Sequence, residues 1–259
     1  MDISDNVFDP IDSAPVADLV VRQIEDMIVQ GILAEGARLP SERDLAARLD
    51  ISRPKVRDAL KALEDMGLLT IRHGEGTFVA QLTGQAMQPA LIDLYARHGR
   101  AFQDYLEYRR AQEGFAAALA ATRATPTDRA GIARHLAARE QAEDDADVDA
   151  SREADVLFHS AIVQASHNTM LIHMMASIYD LTRRGVFYNR SYLRTLDGTG
   201  ARLLQQHRDI AAAVLGGDPE AARVAAEAHL DFVELSFRKG QEMRENEVMA
   251  QKRDRASRV

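Results

Sequence analysis

Residues 36–79 read GARLPSERDLAARLDISRPKVRDALKALEDMGLLTIRHGEGTFV. Two short helices and two short strands are written into this stretch. Ser41 suits a helix N-cap, and Asp44 stands three residues on, at the capping-box position that Glu or Gln fills better. Leu45, Ala46 and Leu49 give the helix that follows one apolar face, and Asp50 and Ile51 turn the chain. Ser52 caps a second helix with Pro54 in its first turn, where a missing N–H costs nothing. Val56, Ala59, Leu60 and Leu63 form its inner face, and Gly67 stops it. The period then changes. LLTIRHGEGTFVA reads as two strands around His73-Gly74-Glu75-Gly76, whose glycines suit a hairpin tip with positive φ. Upstream, Val16, Leu19, Val20, Ile24, Met27 and Ile28 recur at steps of three and four, a helix that starts at Pro15 and stops at Gly31. Three helices and a hairpin make a winged helix-turn-helix, in which a short helix buttresses a second one that enters the major groove.

The charge of the chain qualifies that reading. Its 259 residues carry a formal net charge of −8, which argues mildly against nucleic acid. Between Gly36 and Arg57, however, six basic residues stand against three acidic ones. A footprint on phosphate needs a basic face, not a basic protein. The second helix begins SRPKVR and presents Ser52, Arg53, Lys55 and Arg57 in its first two turns, beside free N–H groups that favour phosphate. Arg and Lys also pair with guanine edges, and His73-Gly74 is slim enough for a minor groove. The alternative is a small protein-contact subdomain with solvated arginines. The absence of cysteine excludes disulfides, a cysteine nucleophile and thiolate metal sites. No apolar run approaches the ~18 residues of a membrane helix. The opening MDISDNVFDPID is acidic and unlike a secretory signal.

Everything after the hairpin reads helical. Helices are expected near 89–98, 101–124, 127–145, 149–167, 169–186, 192–216 and 218–245. The fold expected is therefore mainly α: a winged helix-turn-helix followed by an all-helical bundle of six to seven helices. Its parts are a disordered tail (1–14), the winged unit (15–80), a linker (81–89), the helical domain (90–240) and a charged, fraying tail (241–259).

Polar residues interrupt the apolar stripes of this bundle. Asp155 and His159 are four apart on one face, flanked by Phe158 and Ile162. His207 is in line with Leu203, Leu204, Ile210 and Val214, and His229 with Ala225, Ala226, Phe232 and Val233. A single histidine on an apolar face is usually a hydrogen-bonded core residue. Three of them with a carboxylate, on three stripes of one bundle, suit a divalent cation: zinc first, with nickel, manganese or iron also compatible. His98, His135, His167 and His173 read as surface or core. Arg109 shares the inner stripe of Phe102, Leu106, Ala116, Ala117 and Ala120. A buried guanidinium wants an anion, either Glu113 four residues on or a bound carboxylate. Its neighbour Arg110 competes for that role, though helix phase favours Arg109. Tyr105, Phe187 and Tyr192 are candidate pocket aromatics.

The combination of LPSERDLA, SRPKVRDAL, LEDMGLL and HGEGTFV closely resembles the DNA-binding domain of the GntR family of bacterial transcription regulators, over about residues 15–80. The stretches YRRAQEGFAAALAATRAT, EADVLFHSAIVQASHN, QHRDIAAAVLGGDPEAAR and AHLDFV resemble the FCD ligand-binding domain of its FadR branch, over about 90–240. The first resemblance implies DNA contact by Arg43, Ser52, Arg53, Lys55, Arg57, His73 and Gly74, with Arg38 on phosphate, Lys55 tuning sequence preference and Arg48 solvated. The second implies a metal held by Asp155, His159, His207 and His229, and an effector acid group held by Arg109. A 2-hydroxy or 2-keto acid would chelate the metal and pair with arginine at once. Together they imply a cytoplasmic homodimer on a palindromic operator, a repressor relieved by its metabolite, and not an enzyme. Two other readings stay open: a DNA-binding dimer whose metal is only a structural staple, and a metal-dependent enzyme, for which no motif places an acid or base.

Overall fold

The computed structural model describes residues 15–80, 82, 99–144, 148–183 and 198–257. The chain divides into two compact units at Gly84 and Gln85. The expected tail 1–14, the linker but for Leu82, the helix near 89–98, and Phe187 and Tyr192 lie outside the described residues.

The first unit comprises α1 (Val16–Val29), α2 (Glu42–Leu49), α3 (Arg53–Asp65), β1 (Leu69–Arg72) and β2 (Gly76–Val79). Val20, Ile24 and Ile28, one helical turn apart, bring α1 onto Val56, Leu60 and Leu63 of α3 and onto Leu69 and Val79 of the hairpin. Val16 and Leu19, read as part of the same stripe, are exposed, because the seam follows the four-residue spacing alone. β1 and β2 pair antiparallel from Leu69 with Val79 to Arg72 with Gly76. The GARLP stretch adds an edge to this wing. Arg38 bridges to Phe78, the Leu39 amide donates to the Thr77 carbonyl at 2.9 Å, and the Val79 amide donates to that of Ala37 at 2.9 Å. At the tip, Gly74 and Gly76 have φ of 77° and 118°, a region that side chains with Cβ avoid.

The two helix starts differ. Ser41 Oγ accepts from the Asp44 amide at 3.2 Å, a capping bond as expected. Ser52 occupies the N-cap position of α3 with extended backbone but makes no side-chain cap bond. The cause is local. Pro54 has no N–H to offer, and the Lys55 amide is taken by the Ser52 carbonyl at 3.1 Å. The Ser52 hydroxyl is thereby left out of capping on an exposed residue.

The second unit contains α4 (Gly99–Arg123), α5 (Pro126–Asp144), α6 (Val148–Ala165), α7 (Thr169–Arg183), α8 (Thr199–Gly216) and α9 (Pro219–Ser257). Its core has two apolar regions. One gathers Phe102, Leu106, Met175, Tyr179, Leu230 and Val233, and the other gathers Ala117, Ala120, Ile132, Phe158, Ile210 and Val214. Ala116, Ala117 and Ala120 of α4 are fully buried, and their small size lets α4 run close along α9 and α6. Arginines close several helix ends. Arg123 donates to the Ser166 carbonyl at 3.1 Å, and Arg129 donates to that of Leu215.

The helix expected to end near 245, with a fraying tail from 241, continues to Ser257. The charged composition suggested a tail, but most of these residues are Glu, Gln, Lys, Arg, Met or Ala, which favour helix when no Pro intervenes. Gly240 is buried inside the helix, and side-chain bonds from Gln241 to Glu245 (3.1 Å) and from Gln251 to Glu247 (2.8 Å) support the exposed turns.

Leu60 is fully enclosed in the first unit. Leu60→Ala is expected to cost about 2–5 kcal/mol. Amide hydrogen exchange checks it: protection falls in α1–α3, and unchanged protection there would take Leu60 out of the core.

Candidate functional site

Between the two apolar regions of the helical unit lies a buried polar centre. α6 supplies Asp155 and His159 one turn apart, α8 supplies His207, and α9 supplies His229. All four are buried, His207 completely. His159 Nε2 and His207 Nε2 lie 3.2 Å apart, and each of the three histidines brings a ring nitrogen within 4.8 Å of the others. Asp155 Oδ1 lies 3.4 Å from His207 Nε2. The structure thus brings together all four residues that the sequence singles out. His135, His167 and His173 take no part; His167 instead pairs with Asp128 at 2.9 Å.

A second layer orients the rings. His159 Nδ1 stands 2.8 Å from Glu113 Oε2, and His229 Nδ1 is 3.1 Å from Gln206 Oε1. With Nδ1 engaged, Nε2 is the nitrogen that the rings of His159 and His229 have to offer a ligand. Burial, reinforced by the neighbouring imidazoles, pushes His207 well below its ordinary range and His229 down to about 3. Both rings are therefore neutral near pH 7, and neutral imidazole is the form that binds a metal. Two nitrogens bound to one ion at about 2.1 Å are separated by about 3.0–3.4 Å in tetrahedral or octahedral geometry. The 3.2 Å spacing of His159 and His207 fits. The cluster of His159, His207 and His229 can hold a metal ion.

Arg109 lies beside this centre on α4, also buried. Its Nε donates to Glu113 Oε1 at 2.6 Å, so the local partner four residues on is engaged. Burial would raise the Glu113 carboxyl, but Arg109 and His159 outweigh it and hold it at about 2. Glu113 thus joins the arginine to the histidine cluster. The rings of Tyr105 and Tyr179 flank the guanidinium, at 5.6 and 5.5 Å. Arg110 points elsewhere: it pairs with Asp231 at 2.6 Å and Glu227 at 3.2 Å, on α9 and half-exposed.

Sequence reading missed Arg139. It is 1% exposed, donates through Nη1 to Glu143 at 2.8 Å, and brings Nε to 3.7 Å from Asp155 Oδ1. A signal existed: Arg139 follows Ile132 and Leu136 by seven and three residues, the spacing of one buried stripe. Gln206 and Tyr179 were also missed, and only the assembled helices place them here.

On the first unit, Arg38, Arg43, Ser52, Arg53, Lys55, Arg57, His73 and Gly74 are all exposed. They are not equally free. Arg57 binds Glu42 of α2 through Nε at 3.2 Å and Nη2 at 2.8 Å, which ties α2 to α3, and Arg43 lies 3.5 Å from Asp44. The Arg38 guanidinium lies against Gly76 at the base of the wing tip.

A winged helix-turn-helix joined to a helical unit with a buried polar centre defines a DNA-binding regulator with a ligand domain. Residues 17–79 match the bacterial regulatory proteins of the gntR family, and residues 104–232 match the FCD domain. The "Putative L-lactate dehydrogenase operon regulatory protein" of Escherichia coli (strain K12) is 34% identical over 228 residues, covering 86% of this chain and 87% of that one. The "Glc operon transcriptional activator" of the same organism is 34% identical over 227 residues, covering 86% and 89%. Among solved structures, a Streptococcus agalactiae GntR aligns with a TM-score of 0.52 at 23% identity, over 85% of this chain and 99% of that one, a likeness of fold. The chain belongs to the GntR family of bacterial transcription regulators, and its helical unit is an FCD domain. Among the described residues no helix is long and apolar enough to cross a membrane.

The buried centre makes the metal-free protein acid-sensitive. His229 drops to about 3 from 6.5, so the stability that its neutral form contributes is complete above pH 6.5 and is lost as pH falls toward 3. Glu113 drops to about 2 from 4.5, so its contribution is lost below 4.5. The melting temperature of metal-free protein is expected to fall between about pH 7.5 and 5, and His229→Gln to flatten that fall. Equal slopes for the two proteins would place the titration elsewhere.

Proposed function

We propose that this regulator binds a palindromic operator as a homodimer in the cytoplasm and senses a small monocarboxylate, a 2-hydroxy or 2-keto acid, in a metal-containing pocket. The observation that carries the reading is the convergence of three buried imidazoles, two of them held neutral, beside a buried arginine. His159, His207 and His229 would hold the ion, with Asp155 as the fourth ligand. Imidazole with carboxylate favours zinc, and nickel, manganese and iron are the other candidates. When bound, the ion supplies a Lewis-acid contact for a carboxylate and an adjacent oxygen. The chain's part is to orient the ligands through Glu113 and Gln206, exclude water, and set Arg109 against the acid group.

Charge supports one monoanion. The buried guanidinium groups of Arg109 and Arg139 face Glu113, Asp155 and the half-buried Glu143, which leaves one net negative charge among the five. A divalent cation turns this to one net positive charge. A single carboxylate then neutralises the centre, as burial in a low-dielectric interior demands. The relative named for the L-lactate dehydrogenase operon points to the same class, since lactate is a 2-hydroxy acid. Repression relieved by the ligand is the direction proposed for this chain.

Two measurements test the reading. Elemental analysis of the purified protein is expected to give one divalent metal per chain, and His207→Ala to lose it while sparing non-specific DNA binding. Operator affinity is expected to weaken when L-lactate, glycolate or pyruvate is added. Metal-free protein that still responds to one of these acids would overturn the metal-containing pocket, and an affinity raised by the acid would reverse the direction. For the DNA surface, Arg53→Ala is expected to cost about 1–3 kcal/mol of operator affinity with the fold intact. An unchanged affinity by fluorescence anisotropy would remove α3 as the reading helix.

A further inference from the structure

Among the described residues, the buried side-chain polar atoms with no hydrogen bond are Glu113 Oε2, Arg139 Nε, Tyr179 Oη and His207 Nδ1. Three belong to groups already engaged through another atom: Glu113 with Arg109, Arg139 with Glu143, and His207 with His159. Tyr179 Oη is the sole polar atom of its side chain, and the residue is 1% exposed.

Its surroundings sharpen the contrast. Two tyrosine rings flank the Arg109 guanidinium, those of Tyr105 and Tyr179. The Tyr105 hydroxyl is bonded to Thr182 Oγ1, and Thr182 is one turn beyond Tyr179 on α7. The same helix therefore satisfies the phenol of its neighbour and leaves its own unsatisfied. Glu113 lies close enough to the Tyr179 hydroxyl to act on it, but no hydrogen bond of good geometry joins the two. Phenylalanine would fill the same space and avoid leaving a buried hydroxyl unmet, which is unfavourable. A native protein that keeps such a group commonly uses it for a ligand or an ordered water.

We propose that the Tyr179 hydroxyl is a recognition group of the effector pocket, donating a hydrogen bond to the carboxylate that Arg109 holds. The inference rests on the carboxylate-sensing reading above and assigns that site a second, neutral donor. Arg109 has the donors to spare: Glu113 takes the Nε–H, and the guanidinium carries four more N–H groups on its two Nη atoms. Burial and the nearby Glu113 carboxylate push the Tyr179 phenol well above its ordinary range, so it remains a donor at any working pH. A phenol beside a guanidinium selects for a carboxylate oxygen, which accepts from both, over an amide or an alcohol.

Tyr179→Phe tests this on the full-length protein as purified with its metal. L-lactate, glycolate and pyruvate are titrated into wild type and variant by calorimetry. The acid that binds wild type is expected to bind the variant about 10- to 100-fold more weakly, the loss of one hydrogen bond to a charged acceptor. Metal content is expected to be equal, and the ligand-free melting temperature equal or higher, since an unmet hydroxyl has been removed. A purely structural tyrosine would give the opposite pattern: a lower melting temperature with unchanged affinity. Affinities within twofold would overturn the assignment of Tyr179 while the sensing reading stands. If none of the three acids binds wild type, the sensing reading itself falls and the assignment with it. The chain has no tryptophan and six tyrosines, so tyrosine absorbance gives a second readout. A ligand-induced difference spectrum in wild type is expected to shrink in Tyr179→Phe, and an unreduced one would also overturn the proposal.

Discussion

A bundle of helices can bury charge only where each ion finds its counter-ion before water is lost. That constraint organises the helical unit. Arg109, Glu113, His159, His207, Asp155 and Arg139 form one continuous line of polar contacts between two apolar regions of the core. Removing Glu113 would leave the Arg109 guanidinium buried without its carboxylate, at a cost of several kcal/mol. The line explains why Glu113 is so acidic although fully buried, whereas burial and the neighbouring imidazoles, against the pull of the carboxylates, keep His207 and His229 neutral. It also explains the alanines of α4. Only small side chains at 116, 117 and 120 let that helix approach closely enough for Glu113 to reach α6.

The winged unit obeys a simpler constraint. Its core is apolar throughout, and its charged residues are on the outside. The buried face of α3 fixes the helix, and a salt bridge adds to it at the basic surface, since Arg57 and Glu42 join the buttress helix to the helix that follows it. Exposed pairs of this kind contribute little to stability. Their effect is geometric: α3 keeps its orientation while Arg53 and Lys55 stay unencumbered at its N-terminus. Pro54 acts in the same direction, because it removes one amide from the first turn and leaves the Ser52 hydroxyl out of capping.

Much of this was legible in the sequence because periodicity is a strong signal and the exceptions to it are stronger. Asp155, His159, His207, His229 and Arg109 stood out as polar residues on apolar stripes, and the structure places all five in one buried region. Arg139 obeyed the same rule but sits on α5, whose mixture of alanine and arginine blurs the two faces, so its stripe was hard to see. The end of α9 was misjudged for the converse reason: charge was read as disorder where helix-forming residue types decide. Glu113 was seen only as a local partner for Arg109. Its reach to His159 depends on how α4 packs on α6, which no pattern along one helix encodes. The Gln206 contact to His229 is of the same kind, a pairing of α8 with α9.

The geometry also bears on how such a centre could act as a switch. The ring nitrogens come from α6, α8 and α9, whereas Arg109 comes from α4. An ion held by the histidines would tie three helices together, and α4 reaches the histidine cluster itself through Glu113, beside the Arg110 pairs that join it to α9. A carboxylate bound at once by the ion and by Arg109 would add a further tie between α4 and the rest. A ligand that spans both could favour one placement of α4 over another in the proposed reading, because only differential affinity for two states shifts their balance. An acid group without a chelating neighbour would pair with the arginine and grip the ion weakly. An alcohol would do the reverse. In the proposed reading, the requirement for both groups in one small molecule is what would favour a 2-hydroxy or 2-keto acid. If an acid bound there changed the affinity for DNA, as proposed, DNA would by reciprocity change the affinity for the acid by the same factor.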